Sequence, residues 1–183
     1  LHRWHKKDKN PTGIIVKVIG KAETHEAEMG SIMFKHGIDY TLPPEVEAEA
    51  NAFPVEIPES EILKRRDMRD VLTITIDPES AKDFDDAISF QVLDNGNYEI
   101  GVHIADVAHY IKPGSALDKE AYERATSVYL VDRCIPMLPE RLSNGICSLR
   151  PNEDKLTFSV IFEINGNGEV VKHSFKKTVI NSN

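Results

Sequence analysis

Cysteine is scarce in this chain of 183 residues: Cys134 and Cys147 stand thirteen positions apart and form no CxxC pair. A small secreted scaffold or a zinc half-site would carry more, so both are expected as buried thiols. No apolar run approaches the roughly 18 residues needed to cross a bilayer. The start carries no charged n-region and apolar h-region of a secretory signal, and a cytoplasmic protein is expected. Positive charge is also short, with 22 Lys+Arg against 30 Asp+Glu and a formal net charge of −8. That balance argues against a nucleic-acid partner. It is uneven, however: residues 1–70 hold 11 basic against 13 acidic side chains, and residues 71–183 hold 11 against 17. An acidic protein can still carry a basic channel, and cations bound to a local acidic cluster would offset part of the excess.

What the chain does contain is 40% hydrophobic and 28% charged residues, ordinary for a globular protein with a real core in one or two domains. Leu1 in place of Met, and a C-terminal stretch that stops just after the strand-like Thr178-Val179-Ile180, lead us to expect a fragment of a longer protein. Gly13–Gly20 and Ser31–Lys35 read as glycine-bounded strands of a small OB-type β-barrel. Prolines open a helix over 43–53, and Ser60 caps a second over 61–70. The basic run Lys64, Arg65, Arg66 and Arg69 on that second helix reads as a solvated face, with a phosphate-contacting patch as the alternative. Strands follow at 72–76, 87–92 and 98–105, the last two joined by the turn Asp94-Asn95-Gly96-Asn97. Ser115 with Asp118 resembles a capping box before a helix over 116–125. Val128–Val131 is a short extended piece, residues 135–148 are proline-interrupted and irregular, and a hairpin spans 155–180. The fold class is α+β.

Four aspartates, Asp77, Asp83, Asp85 and Asp86, fall within ten residues between two apolar, β-branched runs. A solvated acidic turn fits poorly, because Ala81 and Phe84 lie inside the segment and strands flank it. An EF-hand fails: it needs glycine at its sixth position, which is Lys82 counted from Asp77 and Ile88 counted from Asp83. Crowded carboxylates resist ionisation unless a cation is present, and hard oxygen donors suit Mg²⁺ or Mn²⁺. A metal-dependent nuclease centre is therefore expected, with the carboxylates converging on one pocket. Neighbours on extended backbone point opposite ways, so Asp85 and Asp86 cannot be equivalent: one binds metal while the other orients a water or a second ion. His103 and His109 read as packing residues, since Mg²⁺ prefers oxygen. Asp106 reads as a partner behind the site or as a helix cap.

The segment Asp77-Pro78-x-x-Ala81-Lys82-Asp83-x-Asp85-Asp86-Ala87 resembles the signature of the ribonuclease II / ribonuclease R family of 3′→5′ exoribonucleases, and most closely its ribonuclease R branch. The likeness continues through Val102–Ile111, Ser115–Ala121, Arg124–Leu130, Ile135–Pro139 and Leu142–Leu149. It implies a partial cold-shock, OB-like domain over 1–55, a linker helix over 56–70, and the N-terminal part of an RNB catalytic domain over 71–183. It also implies that Asp77, Asp83, Asp85 and Asp86 are the catalytic metal carboxylates, and that Tyr129 packs on the 3′-terminal nucleotide. On its own Tyr129 reads as a strand core residue. The implied activity is processive, Mg²⁺-dependent hydrolysis of single-stranded RNA from its 3′ end to nucleoside 5′-monophosphates, with Mn²⁺ as a substitute ion. In the family the site is completed by a basic residue, a glutamate and a second aromatic from the downstream half of the module, and an S1 domain follows. The chain alone is accordingly expected to be inactive. The competing reading is a non-catalytic RNA-binding module with a structural acidic loop.

Overall fold

The computed structural model describes residue 10 and residues 12–183. They divide into two compact units, one ending at Thr41 and the other spanning Leu42–Asn183. Among the described residues of the first unit the regular element is helix α1 (His25–Lys35). Thr24 caps it, its hydroxyl accepting from the Ala27 amide at 3.3 Å; Glu26 and Glu28 stand in the first turn and Lys35 in the last, as the helix dipole favours. This corrects the strand expected at 31–35: Ile32-Met33-Phe34 ends a longer stretch of helix formers. The strand expected at 13–20 is also absent. Ile14, Ile15, Val16 and Val18 are exposed, and no strand lies beside them among the described residues to pair their backbone. No closed barrel forms among the described residues of this unit.

The second unit is the α+β body. Helices α2 (Pro44–Asn51) and α3 (Glu59–Ile62) lead into β1 (Arg66–Asp67), β2 (Thr73–Ile74), β3 (Asp86–Val92) and β4 (Tyr98–Ala105). Then come α4 (Val107–Tyr110), α5 (Ala116–Arg124), the small hairpin β5 (Val128–Tyr129) and β6 (Cys134–Ile135), and one wide π-type turn at Arg141–Ile146. Strands β7 (Asp154–Ile164) and β8 (Val170–Asn181) finish the chain. Among the described residues one six-stranded sheet forms, in the order β1-β8-β7-β4-β3-β2, antiparallel except for β1 beside β8. The capping reading at Ser115 holds: its hydroxyl accepts from Asp118 N at 3.2 Å, and the Asp118 carboxylate accepts from Gly114 N at 2.7 Å.

The helix expected over 61–70 stops at Ile62, because Arg66 and Asp67 pair with Thr178 and Val179 instead. Its basic residues are consumed by acids. Buried Arg65 binds Asp106 at 2.7 Å and Glu61 at 2.9 Å; Arg66 forks onto Glu99; Arg69 binds Asp67 and Asp154; and Lys64 binds Glu61. The run is therefore neither a solvated helix face nor a phosphate patch.

Leu117, Leu142 and Leu149 are fully buried in one apolar cluster with Ala50, Val179 and Ile180. The centre of the sheet is polar. His103 has no exposed surface; its Nδ1 meets Ser159 Oγ at 2.7 Å and its Nε2 meets Ser89 Oγ at 2.9 Å. Ser159 continues to Thr178 at 2.6 Å, and Thr178 to Thr157. Burial holds the His103 pKa down at about 4, so the ring is neutral at pH 7. Gly101 makes this possible, since a Cβ there would stand 2.5 Å from His103 Nε2 and collide with Ser89 Oγ. His103 is the satisfied packing residue the sequence suggested. On β3, Ala87 and Ser89 are buried while Ile88 and Phe90 alternate outward, each more than two-fifths exposed.

Candidate functional site

The loop from β2 to β3 carries Asp77, Asp83 and Asp85, and Asp86 is the first residue of β3. Pro78 begins a turn closed by Ala81 N onto the Pro78 carbonyl at 2.9 Å. The loop then docks on its neighbours: Leu149 N donates to the Phe84 carbonyl at 2.8 Å, and Ala105 N to the Asp85 carbonyl at 3.0 Å. Phe84 packs on the apolar cluster, which is why this acidic segment lies against the body.

The loop forms one wall of a cleft of about 700 Å³. Asp77, Asp83 and Asp85 line that wall together with Lys82. The facing wall comes from the β5–β6 hairpin, where Tyr129 pairs with Cys134, and from Glu140, Ser143 and Asn144 at the π-type turn. Asp86 is exposed and is not among the lining residues, as alternation along the extended backbone requires of a neighbour of Asp85. The structure thus brings three of the four aspartates and Tyr129 onto one cleft.

Tyr129 is 68% exposed, so it is not the core residue that its strand alone suggests. Its hydroxyl donates to Asp83 Oδ2 at 2.8 Å, and that bond, ahead of desolvation, pushes the phenol pKa up to about 12. Partial desolvation, followed by the charges of Asp83, Asp86 and Asp77, holds the Asp85 carboxyl above its ordinary range. Asp77 Oδ2 is buried without a hydrogen-bond partner. An all-oxygen donor set with one buried, unpartnered carboxylate oxygen and one carboxylate resisting ionisation fits a hard divalent cation. Among the described residues, no three His, Cys, Asp or Glu side chains are drawn together into a ligand cluster.

The other titratable candidates lie elsewhere. Asp106 precedes α4 without capping it; it is buried against Arg65, with Lys177 at 3.2 Å. His109 Nδ1 accepts from Arg65 at 3.2 Å, and its ring meets Tyr110 edge-on. Cys147 is buried as expected, but Cys134 is exposed on the cleft, on the opposite face of β6 from buried Ile135. Sequence reasoning gave no role to Glu140, Ser143 or Asn144. Ser143 and Asn144 fell inside the family likeness without an assigned role, Glu140 only in a proline-bounded stretch without regular period, and π-type turns of this kind recur at functional sites.

The site is thus an acidic loop and an exposed tyrosine sharing one open cleft on an α+β body, with carboxylate oxygens suited to a hard cation. The RNB domain matches residues 65–183 and the cold shock domain matches residues 1–43. Ribonuclease R of Thermotoga maritima is 52% identical over 176 residues, covering 95% of this chain and 25% of that protein. DIS3-like exonuclease 2 of Schizosaccharomyces pombe is 47% identical over 184 residues, covering 98% of this chain and 20% of that one. Among solved structures, Mycoplasma genitalium RNase R in complex with double-stranded RNA aligns with a TM-score of 0.81 at 31% identity, over 91% of this chain and 29% of that chain. The chain belongs to the RNB-domain exoribonuclease family, and it spans about a fifth to a quarter of the length of these curated relatives.

Proposed function

We propose that this chain is the carboxylate-bearing part of a 3′→5′ exoribonuclease that hydrolyses single-stranded RNA processively to nucleoside 5′-monophosphates, with Mg²⁺ as its ion and Mn²⁺ as a substitute. The observation that carries the reading is the shared cleft of Asp77, Asp83, Asp85 and Tyr129. Asp77, Asp83 and Asp85 would hold the cation, and Asp86, whose charge acts on Asp85, would orient a water or a second ion beside them. A divalent ion held there supplies a water acidic enough to attack near neutral pH and neutralises charge on the phosphate. Tyr129 offers an exposed ring on which a terminal base can stack, with its hydroxyl anchored on Asp83. The proposed division is a cold-shock-like unit over 1–55, a connector over 56–70 and the N-terminal part of the RNB domain from 71; the compact units divide earlier, after Thr41, with α2 in the second.

Digestion of 3′-labelled single-stranded RNA by the longer protein tests this reading. Asp86→Asn is expected to abolish mononucleotide release, and an unchanged rate would refute the assigned role. The 183-residue chain by itself is expected to hydrolyse RNA slowly or not at all. A second reading, a non-catalytic RNA-binding module, is favoured by the lack of a preformed three-ligand cluster among the described residues. Failure of the aspartates to bind Mn²⁺ at any accessible concentration would select it.

A further inference from the structure

We propose that Ser148 is a positioning residue of the acidic cleft, fixing the backbone on both sides of Asp83 and so setting where the Asp83 and Asp85 carboxylates point. The proposal rests on the metal-site reading above. Ser148 lies outside the acidic loop, just past the π-type turn, and has no exposed surface. Its hydroxyl donates to the Lys82 carbonyl at 2.8 Å and accepts from the Phe84 amide at 3.0 Å. Those two groups belong to the peptide planes immediately before and after Asp83. One buried hydroxyl therefore uses both its donor and its acceptor capacity to hold the orientation of a single aspartate.

The clamp continues towards β3. The next peptide is held by Leu149 N on the Phe84 carbonyl, and the one after it by Ala105 N on the Asp85 carbonyl. Leu149 is itself tied down, because buried Ser182 donates its hydroxyl to the Leu149 carbonyl at 2.9 Å. Residues 82–85 are thus fastened from outside at four successive points, in a segment where like charges push apart. At the far end of the Asp83 side chain, Tyr129 holds Oδ2. Groups that orient ligands without touching the ion commonly govern affinity by about 10- to 100-fold.

A serine buried here only to satisfy backbone groups would affect folding and nothing else, and a double-mutant cycle separates the two roles. Mn²⁺ affinity is measured by electron paramagnetic resonance on the 183-residue chain, for wild type, Ser148→Ala, Asp83→Asn and the double variant. The expected result is a loss of about 10- to 100-fold for Ser148→Ala in the Asp83 background and little further loss in the Asp83→Asn background. Amide exchange should show the Phe84 N–H deprotected in Ser148→Ala. If Ser148→Ala does not fold, Ser148→Cys, which leaves no void at the site and weakens both donor and acceptor, carries the same comparison. Wild-type affinity in a folded Ser148→Ala overturns the clamp, as does an equal loss in both backgrounds. Absence of Mn²⁺ binding by the wild-type chain overturns the metal reading and the clamp with it.

Discussion

The centre of the sheet and the acidic cleft both crowd polar groups, and they resolve the crowding in opposite ways. Around His103 every ring nitrogen and hydroxyl finds a neutral partner inside the protein. Satisfied networks of this kind rigidify a core. Across the cleft, Asp77 keeps a buried oxygen without a partner and Asp85 resists ionisation beside three like charges. One region completes itself, and the other leaves carboxylate oxygens open, as the proposed cation site requires. The difference teaches that the cleft is held at a cost to stability, as functional sites commonly are.

Substitutions should break the two regions in opposite directions. Asp85→Asn in the longer protein is expected to lower RNA hydrolysis by at least about 100-fold. The same change should leave stability unchanged or raise it by about 0.5–2 kcal/mol in urea titrations, because a repelling charge is gone. In the sheet centre, acid should act first through His103, whose folded pKa of about 4 lies below its ordinary 6.5. The unfolded chain binds that proton more readily, so stability is complete above pH 6.5 and is lost as pH falls from 6.5 towards 4. The loss amounts to about 3 kcal/mol and is absent in His103→Leu. Gly101→Ala is expected to cost about 1–3 kcal/mol by driving a methyl into His103 and Ser89, with Mn²⁺ affinity unaffected. The smallest effect belongs to Tyr129→Phe, which removes one exposed hydrogen bond and should shift stability by less than about 0.5 kcal/mol. A larger shift would mean that the Tyr129–Asp83 pair is structural.

The same contrast governs how much was legible in the sequence. Long strands with alternating burial, such as β3 and β4, and helices with proline or serine starts, such as α2 and α5, follow from local pattern and chain punctuation. The acidic loop was legible too, because four aspartates between apolar runs are rare. Short pieces were misread wherever a distant partner decides them. Arg66 and Asp67 leave helical geometry for a strand 112 positions later in register. Gly13–Gly20 has no strand to pair with among the described residues. Of the facing wall only Tyr129 was legible, through the family likeness; Glu140, Ser143 and Asn144 reach it through a π-type turn that has no sequence period.

The account stands most directly on whether the cleft aspartates take up a divalent cation. Titration of the 183-residue chain with Mn²⁺, followed by electron paramagnetic resonance, should give saturable binding that is lost in Asp85→Asn while the melting temperature of that variant stays at or above wild type. Equal binding by wild type and Asp85→Asn, or no saturable binding by either, would contradict it.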